Sequence, residues 1–237
     1  MKKTIGILGG MGPEVTAYFY EQIVKQTKAE TDQDHIKALI YSNPKIPPRT
    51  DAILKTGPSP TPLILEGFQR LKDSGADFVV MPCVTAHYFY PEVQNQVNIP
   101  LISLLDEAVK WAQIEVPELN KAGLVASTGT LESRLFHDAF GKAGIGVIHP
   151  EEDEQNQVME AIFGPKGIKS GFTSGFPKET LASVAKILIA RGADAIIAGC
   201  TEVPLVLKDQ DIPVPLIEPL RITARACIIE AGYEPKD

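Results

Sequence analysis

The sequence predicts an α/β fold of two pseudo-symmetric parallel-sheet domains that arose by internal duplication, with the active site in the cleft between them. Three observations predict it. Residues 75–83 read Gly-Ala-Asp-Phe-Val-Val-Met-Pro-Cys and residues 192–200 read Gly-Ala-Asp-Ala-Ile-Ile-Ala-Gly-Cys, an offset of 200 − 83 = 117. The same offset places Gly6-Ile7-Leu8-Gly9-Gly10-Met11-Gly12 on Gly123-Leu124-Val125-Ala126-Ser127-Thr128-Gly129, and Ile99-Pro100-Leu101-Ile102 answers Val214-Pro215-Leu216-Ile217 at 115. Self-similarity at a fixed spacing marks a repeated structural unit. Third, short apolar strands alternate with amphipathic helices, the pattern of parallel sheets built by right-handed crossovers, whose ligands sit outside the carboxyl ends of the strands.

The elements follow in order. Residues 4–8 form an apolar strand, and the glycine-rich turn at 9–12 leads into a helix opened by Pro13, a residue suited to a first helical position. A second strand is expected at 37–41, a helix at 63–74 and a buried strand at 77–81 that runs into Pro82 and Cys83. Residues 101–103 form another strand before a helix at 104–113. The second half repeats the order, with strands at 122–126 and 195–198, the latter running into Gly199 and Cys200. Two stretches read as irregular: 42–62, with six prolines and Arg49, and 164–177, rich in Gly, Ser and Lys and carrying Lys166 and Lys169. Such stretches are solvated connections or, by their equivalent placement at the rim of the cleft, lids.

Composition narrows the partners. With 30 acidic against 23 basic residues and a formal charge of −7, nucleic acid and anionic membranes are disfavoured, and a small solute is the expected partner. The N-terminus enters a strand pattern without a cleavage site, and no apolar run approaches the ~20 residues of a membrane helix, so a cytoplasmic location is expected. Three cysteines in 237 residues do not make a disulfide framework. The four histidines show no metal-ligand spacing, so no metal is expected. The turn at 6–12 reads G-x-x-G-G-x-G rather than G-x-G-x-x-G, which makes a dinucleotide the weaker reading; backbone amides at a helix start hold a carboxylate equally well. No cofactor is expected.

The thiols carry the chemistry. Cys227 stands among Ala224, Ala226 and Ile228 and reads as a small buried hydrophobe. Cys83 and Cys200 each follow a strand and precede a helix, whose amide-rich start lowers a thiol pKa from about 8.5. Two duplicated halves facing each other bring these thiols to opposite sides of one cleft, the arrangement an inversion of stereochemistry needs. His87, four residues after Cys83, is placed to tune that thiol.

At these residues the chain resembles the aspartate/glutamate racemase family: Gly-Ile-Leu-Gly-Gly-Met-Gly-Pro-Glu at 6–14, Met-Pro-Cys-Val-Thr-Ala-His at 81–87 and Gly-Cys-Thr-Glu-Val-Pro at 199–204 look like its signatures. The resemblance implies a homodimer and racemisation of an amino acid, aspartate or glutamate, without pyridoxal phosphate. It also implies that the C-terminal segment returns to the first domain, giving 1–103 plus 214–237 and a second domain of 104–213. One thiolate removes the Cα proton while the other thiol protonates the opposite face, so Cys83 and Cys200 are the catalytic pair. Thr85, Thr201 and loop amides around Met11 and Thr128 then hold the α-carboxylate. Glu202 orients the amine or Thr201, or caps a helix. By resemblance, Arg49 and Lys169 match positions that hold the distal carboxylate of acidic substrates. Many members have asparagine where this chain has Val84, which removes polar contacts beside Cys83. A broad-specificity racemase, a dicarboxylate isomerase or decarboxylase, and a small-ligand binding protein are the alternatives.

Overall fold

The computed structural model describes residues 2–236, in two compact units: Met1–Glu107 with Leu220–Asp237, and Ala108–Pro219. The first unit contains β1 (Ile5–Gly9), α1 (Pro13–Gln26), β2 (Ala38–Ser42), α2 (Arg49–Ile53), α3 (Thr61–Asp73), β3 (Phe78–Val80), α4 (Tyr90–Gln94), β4 (Leu101–Ile102) and the start of α5 (Leu104–Glu115). The second contains β5 (Lys121–Val125), α6 (Thr128–Glu132), α7 (Leu135–Lys142), β6 (Gly146–Ile148), α8 (Glu152–Phe163), α9 (Phe176–Ala190), β7 (Ala195–Ala198), α10 (Val203–Val206) and β8 (Leu216–Ile217). Helix α11 (Pro219–Glu230) carries the chain back into the first unit.

Each unit holds one four-stranded sheet, ordered β2-β1-β3-β4 and β6-β5-β7-β8, and every pairing is parallel. The shared order is the duplication seen in sequence. Strands β1, β3 and β7 are buried along their whole length, as a parallel sheet covered on both faces requires, and so they read as continuous apolar runs. In both sheets the strand order reverses beside the first strand, between β1 and β3 and between β5 and β7. Met11, Cys83, Thr128 and Cys200 all stand in the segments that leave those four strands.

The repeated Gly-Ala-Asp has the same physical job in both units. Helix α3 ends with Gly75 at φ 92°, where the Gly75 N–H bonds to Lys72 O (2.9 Å) and the Ala76 N–H to Leu71 O (3.0 Å). Helix α9 ends with Gly192 at φ 89°, with Gly192 N–H to Ile189 O (2.9 Å) and Ala193 N–H to Leu188 O (3.1 Å). This pair of bonds closes a helix through a left-handed residue, a role glycine fills without a Cβ penalty. The aspartate then ties the buried strand to its neighbour: Asp77 Oδ2 accepts the Thr4 N–H at 2.7 Å, and Asp194 Oδ2 accepts the N–H groups of Lys121 (3.0 Å) and Asn120 (3.2 Å).

The two stretches read as irregular contain more structure than expected. Residues 42–62 include α2, which starts at Arg49 directly after Pro48, and the beginning of α3, where Pro62 occupies the first turn. Prolines that suggest interruption here open helices, because a first-turn residue has no intrahelical acceptor for its N–H. Residues 164–177 include one tight helical turn, Ile168–Ser170, centred on Lys169. No helix among the described residues is long and apolar enough to cross a membrane.

Candidate functional site

In the first unit, the segment after β3 turns at once, with Cys83 N–H on Met81 O (2.7 Å), and Cys83 is only 4 % exposed. Its Sγ lies 3.6 Å from Thr85 Oγ1. Val84 is buried, and its carbonyl accepts the His87 N–H at 3.0 Å. His87 is placed differently from the expectation that it tunes the thiol: Nδ1 is 2.9 Å from Cys83 O, and Nε2 accepts the Leu104 N–H at 3.2 Å. These partners fix a neutral imidazole with its proton on Nδ1, so the ring clamps the cysteine's backbone to the start of α5. Burial pushes His87 below its ordinary 6.5, against the pull of the Cys83 and Val84 backbone and of Asp106.

The glycine turn after β1 is held by a residue that sequence reasoning missed. Thr16 Oγ1 accepts the buried Gly10 N–H (2.9 Å) and donates to Gly12 O (2.8 Å). Gly10 sits at φ 91°, where a Cβ would lie 2.3 Å from the Asn43 backbone. That close approach lets Arg49 reach across: Nη2 donates to Met11 O (3.1 Å), and Nη1 donates to Pro47 O (2.9 Å) and Ile46 O (3.2 Å). Arg49 Nε is buried without a partner. Met11 and Arg49 are thus brought together, the arginine bracing the turn through backbone carbonyls. The signal for Thr16 was present, since a threonine four residues after a turn carbonyl in a helix's first turn bonds back to it.

In the second unit, four predicted residues converge. Cys200 Sγ donates to Glu202 Oε2 at 2.9 Å, and Thr201 Oγ1 donates to the same oxygen at 3.3 Å. Lys169 Nζ is bound to the other oxygen, Glu202 Oε1, and lies 5.5 Å from the Phe163 ring centroid. Glu202 and Thr201 are each 4 % exposed, so this carboxylate is buried and its acceptor positions face a thiol, a hydroxyl and an ammonium. Burial first, then the Glu202 charge and hydrogen bond, push the Cys200 thiol well above its ordinary value; Lys169 pulls the other way. The expectation that a helix start lowers this thiol's pKa is therefore overturned. Helix α10 spans only Val203–Val206, too short to offset burial beside an acidic group.

Thr128 has a different set of partners. Its N–H points at Met159 Sδ (3.2 Å), its Oγ1 accepts from Gln155 Nε2 (3.3 Å), and it lines a pocket of about 370 Å³ with His137, His149 and Gln155. The Ser127–Thr130 turn is joined to the cysteine segment by Thr130 Oγ1, which donates to Gly199 O at 3.4 Å. Cys227 is buried in α11, and burial, with the charges of Glu107 and Glu230, pushes its thiol up. Among the described residues no three His, Cys, Asp or Glu side chains stand together as metal ligands.

Comparison with known proteins agrees with this α/β fold of two parallel sheets. The family model described as Asp/Glu/Hydantoin racemase matches residues 8–227. The broad specificity amino-acid racemase RacX of Bacillus subtilis (strain 168) is 29 % identical over 236 residues, covering 94 % of this chain and 96 % of that protein. Among solved structures, the aspartate racemase of Picrophilus torridus superposes with a TM-score of 0.87 at 28 % identity, covering 99 % of this chain and 96 % of the other. Glutamate racemase of Francisella tularensis shares the fold at a TM-score of 0.70 and 18 % identity, over 100 % of this chain and 84 % of its own.

Proposed function

Since the chain belongs to the Asp/Glu/Hydantoin racemase family and is an amino-acid racemase, we propose that it inverts the Cα of aspartate or glutamate by a two-base mechanism in which Cys83 and Cys200 work on opposite faces. The observation that carries this reading is the pair of unlike thiol environments. Cys200 donates to a buried carboxylate and is kept as a thiol, the form a proton donor needs, while Cys83 lies beside the neutral hydroxyl of Thr85. A thiolate at Cys83 takes the Cα proton, the electron pair delocalises into the α-carboxylate, and the Cys200 thiol delivers its proton to the other face. In the reverse direction the roles exchange. Thr85 Oγ1 lies beside the Cys83 sulfur and Thr201 Oγ1 donates to the carboxylate that holds the Cys200 sulfur; both hydroxyls serve the α-carboxylate as negative charge develops on it. The Thr128 amide rests on a thioether, a weak acceptor, and is easily redirected to a carboxylate oxygen. Lys169 and Arg49 supply positive charge for the distal carboxylate, and no pyridoxal phosphate is required.

Arg49 gives a second reading a specific footing. Its guanidinium already serves three backbone carbonyls, and Val84 presents an apolar side chain next to Cys83. Both suit a broad-specificity racemase, the activity named for the relative from Bacillus subtilis. Incorporation of solvent deuterium at Cα, followed over L- and D-aspartate, glutamate, alanine and lysine, tests both readings. Cys83→Ala and Cys200→Ala are each expected to abolish inversion; substantial racemisation by either variant refutes the two-base mechanism. Comparable rates on acidic and neutral amino acids select the broad reading.

A further inference from the structure

We infer that the Lys169–Glu202 ion pair stands in for the two outer charges of the substrate, and that an amino acid with a distal carboxylate exchanges partners with it and so releases the Cys200 thiol from Glu202. The inference rests on the reading of Cys200 as one of the two catalytic thiols. It starts from the bonding of one carboxylate. Glu202 Oε2 holds the Cys200 thiol at 2.9 Å, and Oε1 holds Lys169. Ionising this thiol in the resting protein leaves two anions in hydrogen-bond contact in a buried place, with one ammonium to share. The thiol therefore stays protonated, which suits an acid and blocks a base. Yet a racemase needs each thiol to act as a base in one direction.

A dicarboxylic amino acid carries the complement of the pair: an ammonium that satisfies Glu202 and a distal carboxylate that satisfies Lys169. When partners exchange, Glu202 turns its charge to the ammonium, and the positive charge now beside Cys200 favours the thiolate. The proton leaves Sγ for solvent, so that Glu202 keeps its charge for the ammonium and charge and protons balance. A neutral amino acid brings only the ammonium. It would leave Lys169, half-buried at 32 % side-chain exposure, without its carboxylate, and separating a partly buried pair by removing one partner is costly. The pair thus selects for acidic substrates by coupling their binding to the ionisation of one thiol.

The test reads thiol ionisation in a protein that does not turn over. In a Cys83→Ala/Cys227→Ala background, Cys200 is the remaining cysteine, and its alkylation by iodoacetamide is followed by intact mass against pH, alongside ultraviolet thiolate absorbance. Glu202→Gln is expected to lower the midpoint by at least about one pH unit, a tenfold faster reaction at a fixed pH below it. Lys169→Met is expected to raise the midpoint. Opposite shifts cannot come from a generally loosened fold. Saturating aspartate or glutamate is expected to increase thiolate absorbance at fixed pH, and alanine much less. An unmoved midpoint in Glu202→Gln, or an equal response to alanine and aspartate, overturns the inference. Failure of the two-base mechanism shows separately, as racemisation that survives Cys200→Ala.

Discussion

Thr16→Val removes one hydroxyl and keeps the side chain's shape. The buried Gly10 N–H loses its acceptor, while Gly12 O retains the Thr16 N–H at 3.1 Å. The loss is therefore one orphaned buried donor, worth about 1–3 kcal/mol, with little change in packing because valine preserves the methyl that lies against Gly9. A central value of about 2 kcal/mol lowers the melting temperature by about 4–8 °C for a chain of this size. Thr16→Ser makes the reverse exchange, keeping the oxygen and losing one methyl at about 0.8 kcal/mol. Valine should thus cost more than serine in denaturant titrations, and the Gly10 amide should exchange with solvent faster in Thr16→Val alone. Because the same turn positions Met11 under Arg49, kcat/KM for racemisation should fall about tenfold or more with valine. A Thr16→Val protein as stable as the parent, or one whose Gly10 amide is as protected as before, refutes the assignment of Thr16 as the keeper of this turn.

Two further outcomes test other parts of the molecule. His87 is held neutral, below its ordinary 6.5, so the unfolded chain takes up the proton first: its contribution is complete above pH 6.5 and is lost as pH falls toward the folded value. His87→Gln, which can serve the same two backbone partners without titrating, should lose less stability than the parent on acidification below pH 6.5, by up to about 1.4 kcal/mol per pH unit. His137, also pushed down by burial, Arg134 and His149, is present in both proteins and cancels; parallel acid profiles contradict the neutral clamp. Gly75→Ala and Gly192→Ala should each cost about 1 kcal/mol in equilibrium unfolding. Both glycines are left-handed, and an added methyl meets nothing within 4 Å at Gly75 and only the Lys121 Nζ, at 3.6 Å, at Gly192. A cost confined to one of them breaks the equivalence of the two helix ends.

What the sequence disclosed, and what it hid, divide along a physical line. Period and punctuation are local, so the strand expected at 4–8 and found at Ile5–Gly9, the strand at 195–198 and the helix opened by Pro13 were legible, while Gly-Ala-Asp was legible as a repeat and not as a helix end. The 117-residue offset carried the shared sheet order. Side-chain direction is not local. Arg49 was placed as a charge for substrate, and nothing in Pro-Pro-Arg-Thr tells that its guanidinium closes on the carbonyls of Ile46, Pro47 and Met11. Lys169 and Glu202 are 33 positions apart, and their contact depends on how the turn at 168–170 folds over the segment after β7. Histidine at four residues from Cys83 suggested a partner for sulfur, whereas the tight turn at Cys83 N–H and Met81 O turns the cysteine's carbonyl, not its thiol, to the ring.

The offset also explains how a duplicated scaffold came to hold two unlike thiols. At 202 − 85 = 117, Thr85 and Glu202 occupy equivalent places, each two residues after its cysteine, and each meets its own sulfur: 3.6 Å to a hydroxyl in one unit, 2.9 Å to a carboxylate in the other. The neighbours at the intervening position have diverged as well, Val84 against Thr201, and only the latter adds a hydroxyl to the carboxylate. Duplication supplies two thiols on matching strand ends; a single position two residues downstream sets a hydroxyl beside one sulfur and a carboxylate beside the other. Inversion does not need the thiols to be equal, because the substrate and its mirror image are equal in energy and the enzyme need only pass a proton in at one face and out at the other. The proposed two-base mechanism asks that one group hold its proton while the other gives up its own, and the buried carboxylate beside Cys200 favours the protonated thiol on that side.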